Sequence, residues 1–379
     1  MNKKHESLLR RDSVQTLLAS LVCVLGGLIV GYLVLLIIEP SGAFEAIVAV
    51  MKSFLRYPGA LKMKYFGQVL VRTAPLLMCA LSVLFAYKVG MFNIGAAGQY
   101  TLGAFGALYC AIIWHLPWYV CLLAAMLLGA LWGAIPGFFK AYMNINEVIT
   151  SIMFNWIGLY MVNDLMYGKG KGVMYDLSTT KTYSLRKVSP QSMIPSCGMS
   201  EAFGKLQSVT IAIFIAAAFA VLIYVILNRT TFGYELKACG FNKNAAQYAG
   251  INEKRNIVLS MTIAGALAGV GAGLYYLSTV AEWNPQVSTA LPAMGFNGIS
   301  AALLACSNPI GTIFSSLFIS YITVGGTKLS TQYYTKEIAD VITALIIYLC
   351  AFSLLFKNKI RAALAGKARR VQVGKGGDD

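Results

Sequence analysis

Charged residues are scarce in this sequence. Asp, Glu, Lys and Arg together make up 12% of its 379 residues, about half of the ~25% that is usual for soluble globular domains. Hydrophobic residues make up 58%, and the mean hydropathy is +0.66. This composition predicts an all-α polytopic membrane protein, because apolar helices are the common way for such a chain to cross a bilayer.

The residues that most often carry catalysis and metal binding are also few. The two histidines, His5 and His115, are isolated, and the eight cysteines form no C-x-x-C pair. The sequence has no G-x-x-x-x-G-K-[ST] motif, which P-loop ATPases use to hold phosphates. These absences predict that the chain uses no metal, cofactor or disulfide framework, and they argue against an enzyme.

Acidic residues are outnumbered by basic ones, 15 to 31, which gives a formal net charge of +16. Such a charge could reflect nucleic-acid binding, but no RNA- or DNA-binding motif accompanies it. Basic residues beside apolar spans instead contact anionic lipid on the cytoplasmic side of a membrane. The charge therefore predicts membrane lipid as a partner and no nucleic acid.

Long apolar runs are what the sequence has in abundance. The first continues from Val14 to Ile38 without a charge, and ~20 apolar residues are enough to cross the hydrocarbon core. A signal peptide is the alternative, but its apolar region would be only ~7–15 residues long and a small-x-small cleavage site would follow. We predict about ten spans, some short or broken, at roughly 14–38, 66–87, 91–113, 117–139, 148–166, 208–228, 257–280, 294–306, 310–325 and 338–356.

The position of Lys and Arg predicts the topology. The stretch KNKIRAALAGKARR directly follows the last apolar run, and such basic segments stay in the cytoplasm. An even number of spans, which requires 294–306 to cross, places the N-terminus on the same side. The predicted parts are a cytoplasmic N-terminus (1–13), a transmembrane domain (14–356) with an outer loop (167–207) and a large inner loop (229–256), and a basic cytoplasmic tail (357–379).

The inner loop has the composition of a docking element rather than of a plain connector. Its segment YELKACGFNKNAAQYAG contains Ala, Leu and Lys, which favour helix. Asn242 is placed to cap a short helix, and Gly250 is placed to end it. We therefore expect a short helix lying across the cytoplasmic face.

Polar side chains interrupt several of the apolar runs. The stretch GMFNIGAAGQYTLGAF, residues 90–105, contains Asn93, Gln99 and four glycines. Later members are Asn146, Glu147, Asn155 and Asn297. An amide within a span either hydrogen-bonds the bundle or contacts a passing solute, and a charge at the end of a span can simply reach the interface. Because the set is mostly neutral, it favours an uncharged polar solute.

Glycines in two of the runs predict specific backbone behaviour. Gly265, Gly269 and Gly273 recur every four residues, which is the pattern of a face on which two helix backbones approach closely. The glycines of residues 90–105 instead suggest that the third span bends or unwinds, as helices beside transport paths often do.

Four segments, in order along residues 90–311, resemble one family. They are GMFNIGAAGQYTLGAF (90–105), NINEVITSIMFNWIGLYMVNDL (144–165), GYELKACGFNKNAAQYAGI (233–251) and GFNGISAALLACSNPIG (295–311). The family is the ABC importer permeases of the branched-chain amino acid and simple-sugar permease superfamily, and the second segment is similar to its nucleoside-type subgroup, which includes guanosine and purine nucleoside importers.

The resemblance implies the ABC importer permease fold in a bacterial cell membrane, with both termini cytoplasmic. It also implies three partners: a separate ABC ATPase subunit, a second permease subunit, and a substrate-binding lipoprotein or periplasmic protein. The second permease is either another copy of this chain or, as is usual in the nucleoside-type subgroup, a subunit of different sequence. Carried onto this sequence, it assigns ATPase coupling to Glu235, Gly240, Asn242, Ala245, Ala246 and Gly250. The predicted substrate path is lined by Phe92, Asn93, Gln99, Asn146, Glu147, Asn155, Phe296 and Asn297.

The function implied by the resemblance is nucleoside import, driven by ATP that the separate subunit hydrolyses. A permease of the same fold for a simple sugar or another small polar solute is the first alternative. A secondary transporter or channel driven by an ion gradient is an alternative from another class, since it would need no ATPase. A membrane-embedded enzyme would require a catalytic constellation that the sequence does not offer.

Overall fold

The computed structural model describes residues 12–169, 173–285 and 290–327, together with scattered positions between 341 and 359. Helix dominates these residues. The α-helices are α1 (Asp12–Ile38), α2 (Pro40–Lys52), α3 (Gly59–Tyr87), α4 (Ala96–Ile112), α5 (Trp118–Met143), α6 (Glu147–Asn163), α7 (Leu185–Val188), α8 (Met199–Ala202), α9 (Ala212–Arg229), α10 (Thr231–Phe241), α11 (Lys243–Tyr248), α12 (Glu253–Leu277), α13 (Ala293–Leu304) and α14 (Pro309–Gly326). Short 3-10 turns at Ser53–Arg56 and Pro190–Ser192 and a π-helical turn at Asp164–Lys169 complete the helical part.

Six of the described helices are long and apolar enough to cross a membrane. They lie in α1, α3, α5, α9, α12 and α14. α4 and α6 have 17 residues each, about 26 Å at 1.5 Å per residue, against a hydrocarbon core of ~30 Å. The chain is therefore a multi-pass, largely helical membrane protein, as the composition predicts, while the count of about ten spans stays a prediction.

The helix boundaries differ from the predicted spans mainly on the side of residues 39–65. α3 begins at Gly59 rather than near 66, and α2 lies entirely within a segment that hydropathy leaves outside the membrane. α2 buries the small residues Ala43, Ala46 and Ala49 and exposes Phe44 and Met51. Hydropathy ends a span where charges begin, whereas a helix continues as long as its backbone is satisfied and one face is packed.

The first predicted span is present as a helix, whereas the predicted spans after residue 290 are only partly tested. α1 matches the predicted first span closely. α13 has 12 residues, about 18 Å, so it is short, and the prediction that 294–306 crosses the membrane stays a prediction. Most of the predicted tenth span, the first 11 residues and most of the basic tail lie outside the described residues.

A seam of small residues joins α12 to α5. A Cβ atom added at Gly265 would lie 2.2 Å from the carbonyl oxygen of Gly129, and one added at Gly269 would lie 2.2 Å from that of Ala125. At the next contact along α5, a Cβ atom added at Gly133 would lie 2.4 Å from the carbonyl oxygen of Met261. Because no side chain fits between the two backbones, the predicted close-packing face of α12 is confirmed.

The outer loop is a folded element. Its strands β1 (Tyr175–Asp176) and β2 (Lys181–Thr182) pair antiparallel. Thr182 and Trp283 exchange two hydrogen bonds, with Thr182 N donating to the Trp283 carbonyl at 2.8 Å and Trp283 N donating to Thr182 Oγ1 at 3.0 Å. Trp283 Nε1 also donates to Asn163 Oδ1 at 3.0 Å. These bonds fix the hairpin to the segment after α12 and, through Trp283, to the end of α6.

Candidate functional site

The chain is unwound just before α4. Gly90 has a φ of +80°, which a glycine adopts without steric cost, and residues 91–95 are not helical. Met91 N donates to the Ala86 carbonyl and Gly90 N to the Tyr87 carbonyl, so α3 ends in a Schellman motif. The predicted unwinding of the third span is confirmed, because the first five residues of 91–113 are outside the helix.

Asn155 on α6 satisfies the backbone that this break leaves free. Its Oδ1 accepts a hydrogen bond from Gly98 N at 2.8 Å, and its Nδ2 donates to the Ile94 carbonyl at 3.0 Å. A Cβ atom added at Gly98 would lie only 2.8 Å from Asn155 Oδ1. Gly98 and Asn155 therefore form one unit, in which the glycine admits the amide and the amide replaces helical hydrogen bonds.

Asn93 and Gln99 pair with each other across the same break. Asn93 Nδ2 donates to Gln99 Oε1 at 2.8 Å, and Gln99 Nε2 donates to Asn93 Oδ1 at 3.1 Å. Asn93 Nδ2 also donates to Ser82 Oγ at 2.9 Å. All three side chains are buried. In this conformation the amides hold α3 and α4 together, and they do not face an open path.

α13 covers the other side of the break. A Cβ atom added at Gly295 would lie 2.5 Å from Ala97 N, and one at Gly298 would lie 2.8 Å from the backbone of Cys79. These contacts place the glycine face of α13 against α3 and the first turn of α4. Phe296 is 37% exposed and Asn297 is partly exposed, as is Phe92 in the unwound segment.

Asn146 and Glu147 lie apart from this cluster, at the start of α6. Asn146 is the N-cap residue, with its Oδ1 accepting from Val148 N at 2.8 Å. Glu147 forms a largely buried ion pair with Lys140, at 2.9 Å between Oε2 and Nζ. A carboxylate in the first turn also suits the positive end of the helix dipole. Both residues have a structural role at this helix end, which sequence reasoning had left open.

The predicted helix in the inner loop is present as two short helices, α10 and α11. Asn242 caps α11, with its Oδ1 accepting from Ala245 N at 3.1 Å. α11 ends at Tyr248, and Gly250 follows with a φ of +78°. The predicted roles of Asn242 as the cap and of Gly250 as the end of the helix are confirmed.

The predicted coupling residues do not share one surface. Ala245, Asn242 and Gly250 are exposed, whereas Ala246 is buried. Glu235 faces α12, where its Oε2 accepts from Asn256 Nδ2 at 3.0 Å and lies 3.6 Å from Arg255. These contacts attach α10 to α12.

Sequence reasoning missed the aromatic side chains of this loop. Phe241 and Tyr248 are each 95% exposed, and Tyr234 is 72% exposed. The three are spaced seven residues apart within a hydrophilic loop, a signal that the sequence itself carries. Large exposed aromatic side chains are typical anchors of protein interfaces.

Cys239 lies on the opposite, packed side of α10. It is 1% exposed, and its Sγ lies 3.8 Å from Asn256 Nδ2, which donates to it. Burial raises the pKa of this thiol above its usual value. The Cys239 side chain is therefore a packed, protonated thiol at neutral pH. In the described part of the chain, no group of three His, Cys, Asp or Glu side chains could hold a metal ion.

Gly240 brings α10 against the turn that precedes the break. A Cβ atom added at Gly240 would lie 2.2 Å from the Lys88 carbonyl oxygen and 3.2 Å from Gly90 N. Phe232 on α10 also lies beside Phe85 on α3, with ring centroids 6.5 Å apart. Three of the four sequence segments meet around residues 90–98, and the fourth touches them through Gly240.

A bundle of membrane helices in which one helix start is unwound is an architecture of transport proteins. The chain matches the family described as branched-chain amino acid transport system / permease component over residues 65–351. It therefore belongs to this permease family.

Several curated relatives are named as permease proteins of ABC transporters. The chain is 33% identical over 318 residues to the nucleoside ABC transporter permease protein NupB of Lactococcus lactis, covering 82% of this chain and 85% of the relative. It is 30% identical over 300 residues to the guanosine ABC transporter permease protein NupP of Bacillus subtilis, covering 76% and 81%. The glucose ABC transporter permease protein TsgB13 of Haloferax volcanii is 28% identical, with 77% of each chain covered.

Both bacteria named first hold a second, more distant relative. NupC of L. lactis and NupQ of B. subtilis are each 26% identical to this chain, and they too are named as permease proteins for nucleosides and guanosine, respectively. No solved structure matches the chain.

Proposed function

We propose that this protein is the membrane-spanning subunit of an ABC importer that moves nucleosides into a bacterial cell. The observation that carries the proposal is the direct connection between a helical cytoplasmic loop and an unwound membrane helix. Such a connection suits a permease that is driven from the cytoplasmic side by another subunit. The sequence lacks a P-loop, and the NupB and NupP relatives are named for nucleosides and guanosine.

The substrate path is proposed to pass the break before α4. Phe92, Phe296 and Asn297 are partly exposed there and offer aromatic and amide groups to a nucleoside base and sugar. Asn93, Gln99 and Asn155 form the hydrogen-bonded layer behind them. Rearrangement of this layer between outward- and inward-facing states would expose its amides to the solute.

The α10–α11 surface is proposed to bind the ATPase subunit. Phe241 and Tyr248 are its exposed aromatic anchors, and Asn242, Ala245 and Gly250 are exposed beside them. Ala246 is buried, Glu235 is partly exposed and Gly240 is exposed; these three are proposed to hold α10 and α11 on the membrane helices. This assignment places both chain termini and the α10–α11 surface in the cytoplasm.

Two further partners complete the proposed importer. A second permease of different sequence fits the presence of two related permease proteins in both L. lactis and B. subtilis. A substrate-binding lipoprotein or periplasmic protein would dock at the opposite face, where the folded outer loop lies. The basic tail is proposed to contact anionic membrane lipid.

Sugar transport is the second candidate. It is favoured by the glucose permease relative, whose identity to this chain is 28%. A nucleoside carries a sugar as well as a base, so the two cargoes share hydroxyl groups that amides recognise. Competition between guanosine and glucose for uptake separates the two candidates.

The test is purification of the tagged chain from its native membrane in mild detergent, with mass spectrometry of the proteins that accompany it. An ATP-binding cassette protein, a second permease and a binding lipoprotein are the expected companions. The recovered complex is then placed in liposomes so that its cytoplasmic side faces the lumen. With ATP in the lumen and labelled guanosine outside, the liposomes should take up guanosine. Recovery of the chain alone, with uptake that needs an ion gradient and no ATP, would instead establish a secondary transporter.

A further inference from the structure

We propose that the backbone contact between Gly240 and Lys88 transmits movement of the α10–α11 surface to the unwound start of α4. This inference rests on the proposed function, because it assigns the step by which the ATPase subunit reaches the solute path. Gly240 is then a positioning residue: it touches neither ATP nor solute, and it acts through residues 88–95.

The contact is made by backbone atoms alone. A Cβ atom added at Gly240 would lie 2.2 Å from the Lys88 carbonyl oxygen and 3.0 Å from the Lys88 carbonyl carbon. From the other side, a Cβ atom at Gly90 would be 3.5 Å from Gly240 Cα. Two backbones in direct contact leave no flexible side chain to absorb a displacement, so a push on one reaches the other.

The turn on the membrane side is built to pass a displacement on. The Gly90 and Met91 amides both bond back to the last turn of α3, which makes the turn a closed unit. Val89 and Met91 are fully buried and anchor the turn in the bundle, while Gly90 between them is exposed. The chain then continues directly into Asn93, whose amide pairs with Gln99 in the first turn of α4.

The other end of the route faces the cytoplasm. Phe241 directly follows Gly240 and is 95% exposed, and Asn242 then starts α11. A partner that binds the Phe241 side chain therefore acts one residue away from the contact between Gly240 and Lys88. Only three residues separate the Lys88 contact from Phe92 on the predicted solute path.

A competing route runs through α12. Glu235 on α10 bonds Asn256 and lies near Arg255, so displacement of α10 could pass to α12 instead. That attachment runs through side chains, of which Glu235 and Arg255 are partly exposed and Asn256 is fully buried, and side-chain rotation tolerates small shifts. The Gly240 contact is between backbone atoms and contains no rotatable side chain. This difference favours the route to α4.

Hydrogen–deuterium exchange of the wild-type complex tests the route without any mutation. The complex is compared with and without a non-hydrolysable ATP analogue, and peptides covering 88–95, 231–241 and 253–260 are followed. We expect exchange in 231–241 and 88–95 to change together. A change in 231–241 and 253–260 with none in 88–95 would overturn the proposal in favour of the α12 route.

A substitution that adds a side chain at the contact provides the second test. Gly240→Ala forces the Lys88 carbonyl away, and we expect about a tenfold fall in guanosine moved per ATP hydrolysed, a size typical of mutations that alter coupling between sites. Gly26→Ala is the matched control, because Gly26 lies within helix α1 with no neighbouring atom within 4 Å. An unchanged transport ratio in an assembled Gly240→Ala complex would also overturn the proposal.

The two levels of inference fail in different ways. If the wild-type complex hydrolyses ATP without moving guanosine, the proposed function is wrong, whatever the variants do. If the wild-type complex imports guanosine but the hydrogen–deuterium exchange of residues 88–95 does not change when the ATP analogue binds, only the Gly240 route is wrong. Should Gly240→Ala fail to assemble, the exchange experiment on the wild-type complex still decides.

Discussion

The side-chain oxygen of Asn155 accepts a hydrogen bond from the backbone N–H of Gly98 at 2.8 Å, while its amide nitrogen donates to the Ile94 carbonyl. One side chain of α6 thus satisfies both edges of the break before α4. The bond to Gly98 is buried, where water cannot replace the lost partner, and the bond to Ile94 is partly buried. The stability of the break therefore depends on this amide.

Asn155→Ala should lower the stability of the protein by about 1–3 kcal/mol, the cost of leaving buried polar groups unpaired. The measurement is the thermal unfolding midpoint of the purified protein in detergent. Asn244→Ala is a suitable control, since Asn244 is exposed on α11. An equal effect of both substitutions would show that the bridge contributes nothing specific.

The reciprocal pair of Asn93 and Gln99 predicts non-additive mutations. Asn93→Leu alone leaves the Gln99 amide buried and unpaired, with a cost of about 1–3 kcal/mol. The double variant Asn93→Leu with Gln99→Leu removes both amides and should cost less than the sum of the single changes. Unfolding midpoints of the four proteins in the cycle measure this difference.

The same double variant is expected to lose guanosine uptake while it still inserts into the membrane. The reason is that the hydrogen-bonded layer behind the proposed path is replaced by hydrocarbon. Uptake into liposomes that contain matched amounts of assembled complex is the measurement. Normal uptake by a correctly inserted double variant would remove these two amides from the transport mechanism.

The aromatic anchors of the α10–α11 surface predict a loss of ATPase binding. Replacing both Phe241 and Tyr248 by Ala should weaken binding by at least ~2 kcal/mol, about 30-fold, as for hot-spot residues in other interfaces. The yield of ATPase subunit in the pull-down, titrated against salt and detergent, measures this effect. Phe214→Ala is the control, because Phe214 is 64% exposed on membrane helix α9.

Cysteine labelling tests the orientation of the chain. Cys197 is exposed in the outer loop, so a membrane-impermeant maleimide should label it in intact cells. With Cys197 replaced by Ser, an introduced Phe241→Cys should be labelled only after permeabilisation. Labelling of Phe241→Cys in intact cells would reverse the predicted topology.

Cys239 should stay unlabelled in the same experiment, even after permeabilisation. The thiolate is the reactive form of cysteine, and an ordinary thiol has a pKa of ~8.5. Burial raises the pKa of the Cys239 thiol, so little of it is thiolate at neutral pH. Labelling is expected only as the pH rises well above the ordinary thiol pKa or when α10 separates from α12. Rapid labelling of Cys239 in the folded complex near neutral pH would contradict the packed position described above.

Sequence patterns predict most of the membrane helices and the cap of α11, because these depend on local signals. Asn242 and Gly250 act on neighbouring residues, and the glycines of α12 repeat with the period of one helix face. The extension of α3 to Gly59 and the whole of α2 were not predicted, since polar and charged residues end a hydropathy window without ending a helix.

The arrangement of the candidate site was predictable only in part. The amides could be selected as polar groups within apolar runs, but their partners come from distant segments, as with Asn155 and Gly98. Glu235 illustrates the same limit: the family pattern assigns it to ATPase coupling, while its observed partners are on α12. Conversely, Phe241 and Tyr248 lay outside the family pattern, although their regular spacing in a polar loop was visible.

The seam between α5 and α12 also bears on how the protein changes shape. Carbonyl oxygens of one helix lie against the glycines of the other at successive levels, so sliding by a fraction of a turn would drive backbone into backbone. We therefore expect α5 and α12 to move together as one rigid unit. Any alternation between outward- and inward-facing forms is therefore expected to keep the pairing of α5 with α12 and to take place between this pair and other helices.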